Sequence, residues 1–200
     1  MANTTKRAYR AFIAAFVELL AQKPFSQVTI QDIITRSTYS RSSFYTYFKD
    51  KYELMQTLVD ETAKHYSTVL ARELVDSKNV ESADERIYQI ALGAFRYVYR
   101  EKEVFQLIVT AQLEQYDLDY FCRQALVYFK ETDLFDAAPN RQPVDLDFYY
   151  YCTTWQFVHY ISFWQQSGFR QTPEYLAGQV VKITSLTKPG DVLAEKTRNG

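Results

Sequence analysis

The stretch Thr29–Leu54 reads TIQDIITRSTYSRSSFYTYFKDKYEL and decides the fold. Thr29 followed by Asp32 matches a capping box, in which a hydroxyl and an acid satisfy the free N–H groups at the start of a helix. The predicted helix buries Ile30, Ile33 and Ile34. Ser40 is suited to cap a second short helix, and the spacing of Asp50 to Glu53 repeats the cap pattern for a third. The stretch therefore predicts two short helices joined by a tight turn, with a longer helix behind them.

The second short helix runs from Arg41 to Phe48. Phe44 and Phe48 are four residues apart, so they share the face that turns to the core. The outward residues are Arg41, Ser42, Tyr45 and Tyr47. Small hydroxyl residues allow close approach to the DNA major groove, while an arginine and two phenols can bond to base edges and phosphates. The pattern predicts a helix that reads double-stranded DNA.

The DNA-binding domain of the TetR (tetracycline repressor) family of bacterial transcription regulators closely resembles this stretch. The resemblance rests on Val28-Thr29-Ile30-x-Asp32-Ile33 and on Ser40-Arg41-Ser42-Ser43-Phe44-Tyr45-x-Tyr47-Phe48-Lys49-Asp50-Lys51-x-x-Leu54. It implies that Tyr45 and Tyr47 touch DNA and that Lys51 meets a phosphate. The chain departs from the family at Ser37-Thr38-Tyr39, where the left-handed turn position lacks a glycine. The predicted DNA-binding residues are Thr29, Ser40, Arg41, Ser42, Ser43, Tyr45, Thr46, Tyr47 and Lys51.

The charge is divided unevenly along the chain. Residues 1–55 contain eight basic and four acidic residues, a net of +4, and because the whole chain carries −1 the remainder carries −5. A basic head can neutralise DNA phosphates and release counterions, whereas an acidic body stays away from the duplex. The charge distribution therefore agrees with DNA binding by the N-terminal part.

Size and composition fit a folded protein. The 200 residues can bury a substantial core, and 17 Tyr, 14 Phe and 2 Trp exclude a disordered chain. The apolar runs are too short to cross a bilayer and the N-terminus does not resemble a signal peptide, so we expect a cytoplasmic protein without a membrane partner. Cys122 and Cys152 are isolated in sequence; reduced core thiols are the favoured interpretation, and a redox switch is the alternative.

Apolar residues recur at helical spacing along most of the chain. A first helix ends before Pro24 and should pack over the two short helices. Further helices are predicted over Asp50–Val75, from Ser82, and over Glu103–Leu113, Asp119–Thr132, Asp145–Ser167 and Thr172–Leu186. Pro139, Asn140 and Pro143 mark a loop. The predicted fold is all-α, with a helix-turn-helix head (residues 1–52), a helical ligand-binding and dimerisation body (residues 53–187) and a flexible tail (residues 188–200).

The helix predicted over Asp145–Ser167 is apolar on nearly every side. One stripe contains Leu146, Tyr150, Phe157, Ile161 and Trp164, and another contains Phe148, Tyr151, Cys152, Trp155 and His159. A helix with two apolar faces needs two partners. The segment Val158–Tyr175 resembles the C-terminal helix pair through which TetR-type regulators dimerise. We therefore expect a homodimer, with the choice of stripe left open.

An enzyme is the main alternative class, and the residues argue against it. A carboxylate-bridged metal pair in a helical bundle requires Glu-x-x-His motifs, and neither His65 nor His159 has a glutamate three residues upstream. Five scattered glycines provide no phosphate-binding loop, and no Ser-His-Asp or Cys-His grouping stands out. We predict no catalytic residue, no metal site and no cofactor.

Aromatic residues of the body offer two interpretations. A cavity for a small apolar or aromatic effector would use polar groups placed among apolar ones, whereas ordinary core packing explains the same residues. The many tyrosines favour a cavity, because each buried phenol needs a hydrogen-bond partner. The candidate ligand-binding residues are Tyr97, Phe105, Gln112, Tyr116, Phe121, Trp155 and His159, with a core role as the alternative for His159.

Together these patterns predict a one-component transcription regulator. The favoured hypothesis is a repressor that binds a palindromic operator as a homodimer and is released by a small effector. Two alternatives stay open: an activator controlled by a protein partner, and an adaptor with the same fold that does not read DNA.

Overall fold

The computed structural model describes residues 2–110, 115–131 and 145–186, and within these ranges the chain is helical and contains no strand. The helices are α1 (Ala2–Leu20), α2 (Ile30–Ser37), α3 (Arg41–Tyr47), α4 (Lys51–Asp76), α5 (Ala83–Arg100), α6 (Lys102–Val109), α7 (Leu118–Lys130), α8 (Leu146–Gln166) and α9 (Pro173–Leu186). The prediction of an all-α fold with an N-terminal helix-turn-helix and a helical C-terminal part is confirmed. The predicted proline loop, Gln112 and the tail lie outside the described residues.

Side-chain caps set the ends of the helices in the head, as predicted. Thr29 Oγ1 accepts a hydrogen bond from the backbone N–H of Asp32 at 3.1 Å, and the Asp32 carboxylate accepts one from the N–H of Thr29 at 2.8 Å. Ser40 Oγ accepts from the N–H of Ser43, and the Asp50 carboxylate accepts from two N–H groups of α4. Each cap satisfies donors that a helix cannot pair internally, so three helix starts are fixed locally.

The turn between α2 and α3 contains a residue in the left-handed region. Thr38 has φ 63° and ψ 14°. This conformation crowds Cβ against the backbone, and the branched threonine side chain makes it less favourable still. The turn requires the left-handed conformation at a position occupied by threonine, so the backbone at Thr38 is strained.

Aromatic rings form the core of the head. Phe12 of α1 contacts Phe44 of α3 edge to face at 5.4 Å, and Phe16 contacts Phe25 in the same manner at 6.1 Å. Phe12 and Phe16 of α1 are buried, and Phe44 and Phe48 are buried as their four-residue spacing predicted. Burial of these rings orients α3, because Phe44 and the following Phe48 point into the core and the opposite side of the helix is left to solvent.

The helix α4 joins the head to the body and packs most extensively against α7. Ala63, Ser67 and Ala71 lie four residues apart on one face of α4, and all three are buried. Ser67 Oγ donates to the carbonyl oxygen of Ala125 in α7 at 2.7 Å. Small side chains permit this close approach, and one continuous hydrophobic core extends from the head into the body.

The body helices α4, α5, α7, α8 and α9 begin and end close to their predicted bounds, whereas α6 ends at Val109 and the predicted end at Leu113 lies outside the described residues. Ser82 caps α5, Asp117 caps α7, and the Thr172 hydroxyl accepts from the N–H of Tyr175 at the start of α9. Gly168 ends α8 with φ 68°. No helix in the described ranges is long and apolar enough to cross a membrane.

The two apolar faces of α8 have different surroundings. Ile161 and Trp164 are fully buried and Phe157 packs against the core, so this part of the first predicted stripe faces the core of the body. The second stripe faces outward, where Phe148 is 67% exposed and Tyr151 is 57% exposed. The prediction of a core position for Cys152 is wrong, because Cys152 lies on this outer face and is exposed. Cys122 is buried, as expected.

Replacement of Thr38 by glycine should stabilise the protein. Glycine adopts φ 63° without a Cβ clash, and removal of the strain should exceed the added entropy of the unfolded chain, for a net gain of about 1 kcal/mol. Thermal or denaturant unfolding measures the change. Thr68, an exposed threonine within α4, is the matched control, because Thr68→Gly should destabilise by a few tenths to about 1 kcal/mol. Destabilisation by both substitutions would contradict strain at Thr38.

Candidate nucleic-acid interface

The outward face of α3 is the centre of the candidate interface. Arg41, Ser42, Tyr45 and Thr46 are exposed, and Tyr45 keeps 46% of its surface accessible. The Arg41 guanidinium donates to Tyr45 Oη at 3.3 Å and lies 5.5 Å from the Tyr45 ring centre. The pair is four residues apart on one helix face, so an arginine and a phenol are presented side by side.

Several of the predicted hydroxyls also hold the helices in place. Ser40 Oγ caps α3 and lies 2.9 Å from Ser42 Oγ and 3.1 Å from Ser43 Oγ. Thr46 Oγ1 donates to the carbonyl oxygen of Ser42 at 3.0 Å. Thr29 Oγ1 donates to Asp32 at 2.7 Å, within the capping box. These donors are occupied, but hydroxyl oxygens can still accept hydrogen bonds.

Tyr47 is less exposed than the sequence predicted. Its ring contacts Tyr9 edge to face at 5.9 Å and lies 6.2 Å from Phe12, both in α1. The residue is half-buried. One side of the ring therefore belongs to the packing between α1 and α3, and the outward face of α3 presents Tyr45 more fully than Tyr47.

Lys51 lies at the start of α4 with its ammonium group turned into the head. Nζ donates to the carbonyl oxygens of Phe25 and Val28, both at 2.9 Å, with Ser26 O at 3.4 Å. It also lies 4.3 Å from the Phe25 ring centre. This location differs from the solvent-facing position expected of a phosphate ligand.

Two further bases of the head are paired internally. Lys23 Nζ lies 2.7 Å from the Asp32 carboxylate, and this hydrogen bond, with those from Thr29, lowers the pKa of Asp32 to about 2. Arg36 donates to Glu18 and Gln22, both at 3.1 Å. The charges of Lys23 and Arg36 are thus already satisfied, whereas Arg41 in α3 and Lys49 directly after α3 are both exposed.

The candidate ligand-binding residues do not gather in one place. Tyr97, Phe105 and Phe121 are buried and in mutual contact, with ring centres 6.0 Å apart for Tyr97 and Phe105 and 5.2 Å apart for Phe105 and Phe121. Tyr97 Oη donates to the carbonyl oxygen of Thr62 at 2.9 Å. The phenol therefore has its partner within the packed interior of the body.

The other candidates are located elsewhere. Tyr116 is buried and contacts Tyr120 edge to face at 5.0 Å. His159 is exposed on the outer side of α8, with Nδ1 2.7 Å from the carbonyl oxygen of Trp155, whereas the Trp155 side chain is partly buried against the core. The structure therefore divides the predicted set between the core and an outer face.

A surface groove of about 420 Å³ lies between the α5–α6 junction and the α8–α9 turn. It is lined by Tyr99, Lys102, Glu103, Gln106, Gln165, Gln166, Gly168 and Phe169. None of the candidate ligand-binding residues lines this groove, whose walls are mainly polar. Among the described residues, no group of three or more His, Cys, Asp and Glu side chains could hold a metal ion.

Two neighbouring acids of α4 bind phenols from opposite parts of the molecule. Tyr9 Oη in the head donates to Glu61 Oε1 at 2.7 Å, and Tyr120 Oη in α7 donates to Asp60 Oδ1 at 2.9 Å. Partial burial and the adjacent carboxylates raise the pKa of both phenols above the ordinary tyrosine value. Sequence reasoning missed this pair, because contacts across 52 and 60 residues leave no local pattern.

Comparison with known families agrees with this geometry. Residues 12–58 match a family model described as bacterial regulatory proteins, tetR family, and residues 85–186 match one described as transcriptional regulator C-terminal region. The chain belongs to the tetR family. Its members are transcription regulators and not enzymes, as the sequence predicted. The matched N-terminal region contains α2 and α3. No curated protein matches the chain in sequence.

Solved structures of several regulators share the fold. A transcriptional regulator from Syntrophomonas wolfei is 16% identical with a TM-score of 0.66, covering 93% of this chain and 97% of its own. The fatty acid degradation regulator FadR from Bacillus halodurans is 14% identical with a TM-score of 0.65, covering 88% and 93%. FadR from Bacillus subtilis, in complex with stearoyl-CoA, is 16% identical with a TM-score of 0.63, covering 88% and 96%. At these identities the likeness establishes the fold alone.

Proposed function

We propose that this tetR-family protein is a repressor that binds a palindromic operator as a homodimer and is released by a small apolar or aromatic effector. The observation that carries the proposal is the outward face of α3, where Arg41, Ser42, Tyr45 and Thr46 stand opposite a packed aromatic core. A short helix with small residues at its N-terminal end fits the major groove. Thr29, Ser40 and Ser43 lie at the helix starts that would approach the backbone, and Tyr47 borders the face.

The outer faces of α8 and α9 support dimerisation. Phe163 on α8 is 59% exposed, and Tyr175 and Ile183 on α9 are also exposed. Large apolar side chains exposed on these two helices are unfavourable in water and favour a second copy of the chain. Gly178 lies in α9 with open space around its Cβ position, so a neighbouring helix could approach closely there. A two-fold dimer would then present two heads to two half-sites on one side of the duplex.

The adjacent acids of α4 suggest how the body would influence the heads. Tyr120 ties Asp60 to α7, and Tyr9 ties Glu61 to α1, so the two bonds meet on consecutive residues of one helix. A shift of α7 on effector binding would change the position of α4 and with it the orientation of the head. Linkage requires that the effector lower operator affinity by the same factor by which DNA lowers effector affinity.

The chemical class of the proposed effector is inferred from the residues inside the body. Its interior is aromatic, which favours an apolar or aromatic compound, and one regulator of the same fold is in complex with stearoyl-CoA. The mutual packing of Tyr97, Phe105 and Phe121 favours a second candidate, an activator or adaptor controlled by a protein partner, since a ligand among these rings must displace them.

Loss of the Tyr45 hydroxyl should weaken operator binding. Tyr45→Phe keeps the ring and removes one hydrogen bond, with an expected cost of about 1 to 3 kcal/mol, or roughly 5- to 150-fold in affinity. Titration of a labelled duplex from the region beside the protein's own gene measures this change. Tyr99→Phe is the matched control, since Tyr99 is 43% exposed but lies in the body. Equal operator affinity of the wild type and Tyr45→Phe would show that this hydroxyl does not contact DNA.

A charge on the outer face of α8 should produce folded monomers. Phe163→Glu places a carboxylate where the partner would bury it, which costs several kcal/mol in the dimer but little in the free chain. Sedimentation velocity measures the mass, and circular dichroism checks the fold. Val75→Glu, at a similarly exposed apolar residue near the end of α4, should remain dimeric. A Phe163→Glu protein that sediments as a dimer would move the interface to another surface.

The two phenol–carboxylate bonds should act together on DNA binding. Tyr9→Phe and Tyr120→Phe each remove a bond that restricts the orientation of the head, so each should lower operator affinity several-fold. In the double variant, the loss of binding free energy should be smaller than the sum of the two single losses. Duplex titration of the wild type, the two single variants and the double variant measures this double-mutant cycle. Tyr128→Phe, another partly buried tyrosine of α7, should bind as wild type does. Strict additivity would mean that the two bonds work independently.

A further inference from the structure

Lys51 has no donor left for DNA while the head keeps this conformation. Its ammonium group carries three N–H bonds, and the three carbonyl oxygens of Phe25, Ser26 and Val28 lie around it at 2.9, 3.4 and 2.9 Å. The Phe25 ring covers a further side at 4.3 Å. A phosphate could reach this ammonium only after the contacts with the head were broken.

The carbonyl oxygens that receive Lys51 belong to the segment that leads into α2. Phe25–Gln27 form a 3₁₀ turn, in which the Phe25 carbonyl accepts the N–H of Val28 at 3.0 Å and, through its second lone pair, the ammonium group of Lys51. These dipoles attract a cation. Val28 directly precedes Thr29, the capping residue of α2, so the position of Lys51 determines where α2 begins relative to α4.

The backbone at the start of α4 is also occupied. The Asp50 carboxylate accepts the N–H groups of Tyr52 and Glu53, both at 2.9 Å. The Glu53 carboxylate accepts the N–H of Lys49. Helix N-termini bind phosphates through free N–H groups. Here Asp50 takes the N–H groups of Tyr52 and Glu53, and the carboxylates of Asp50 and Glu53 would repel an anion.

Lys49 is the available cation at this corner of the head. It lies between the end of α3 and the start of α4, it is exposed, and its ammonium group makes no hydrogen bond or ion pair to another described residue. We propose that Lys51 is a positioning residue that holds the entry to α2, and that Lys49 supplies the phosphate contact beside the reading helix. The inference rests on the proposed DNA-binding function and reassigns the role that the family resemblance gives to Lys51.

Matched substitutions separate the two roles. Lys49→Met and Lys51→Met remove the same charge two residues apart, and binding to operator and scrambled duplexes is measured across a series of salt concentrations. For Lys49→Met we expect an unchanged Tm and a salt slope smaller by about one per protomer, or about two per dimer. For Lys51→Met we expect a lower Tm and an unchanged salt slope. The molecules of this variant that remain folded should bind operator more weakly than wild type, and the ratio of operator affinity to scrambled-duplex affinity should be smaller.

The opposite pattern would overturn the proposal. If Lys51→Met reduces the salt slope by about one per protomer and leaves the Tm unchanged, Lys51 itself is the phosphate ligand. If both variants reduce the slope, the contacts of Lys51 open on DNA and the positioning role fails.

A labelling experiment on the wild-type protein covers the case in which Lys51→Met does not fold. Trace acetylation with acetic anhydride, followed by mass spectrometry, compares the two lysines in the free protein. We expect Lys49 to react readily, Lys51 to react at least ten-fold more slowly, and Lys49 to become protected when operator is added. Equal reactivity in the free protein would overturn the positioning role. Wild-type protein that binds no duplex at low salt would instead refute the proposed DNA-binding function, and the labelling of the free protein would still test the position of Lys51.

Discussion

The helix α4 belongs to both halves of the molecule, and the arrangement of the other helices depends on it. Its 26 residues extend for about 39 Å without interruption. Lys51 at its beginning binds the turn before α2, Glu61 binds α1, and Asp60 and Ser67 bind α7. A continuous helix held at all of these points cannot rotate in the head without also moving in the body. Head and body therefore share one rigid axis, although they differ in charge and in the surfaces they expose.

Three phenols make polar connections between α4 and other helices. Tyr9, Tyr97 and Tyr120 each place a ring in an apolar contact and a hydroxyl on a carboxylate or a carbonyl group of α4. Burial of a phenol without a partner would be costly, so each hydroxyl restricts how its helix can lie against α4. A leucine in the same place would tolerate rotation and sliding. The large number of tyrosines thus gives the interior specificity of orientation as well as apolar area.

Local features of the fold could be predicted from the sequence, because each depends on residues within four positions of one another. The caps at Thr29 and Ser40 and the turn position at Thr38 are of this kind. The long-range features could not. Nothing near Lys51 in the chain reveals that three carbonyl groups more than twenty residues earlier surround it, and periodicity alone could not distinguish the buried face of α8 from the exposed one that carries Cys152. In the candidate interface, the outward position of Arg41 and Tyr45 follows from the burial of Phe44, whereas the partial burial of Tyr47 depends on α1.

The threonine in the turn between α2 and α3 affects more than stability. Around φ 63° a glycine can move among several neighbouring backbone states, whereas a branched residue is confined to a narrow one. A glycine at this turn would act as a compliant joint, and Thr38 makes it stiff. The angle between the two helices of the reading unit is therefore held closely even before DNA is present. The strained residue lowers the stability of the head and in return reduces the conformational freedom that α3 would lose in a groove.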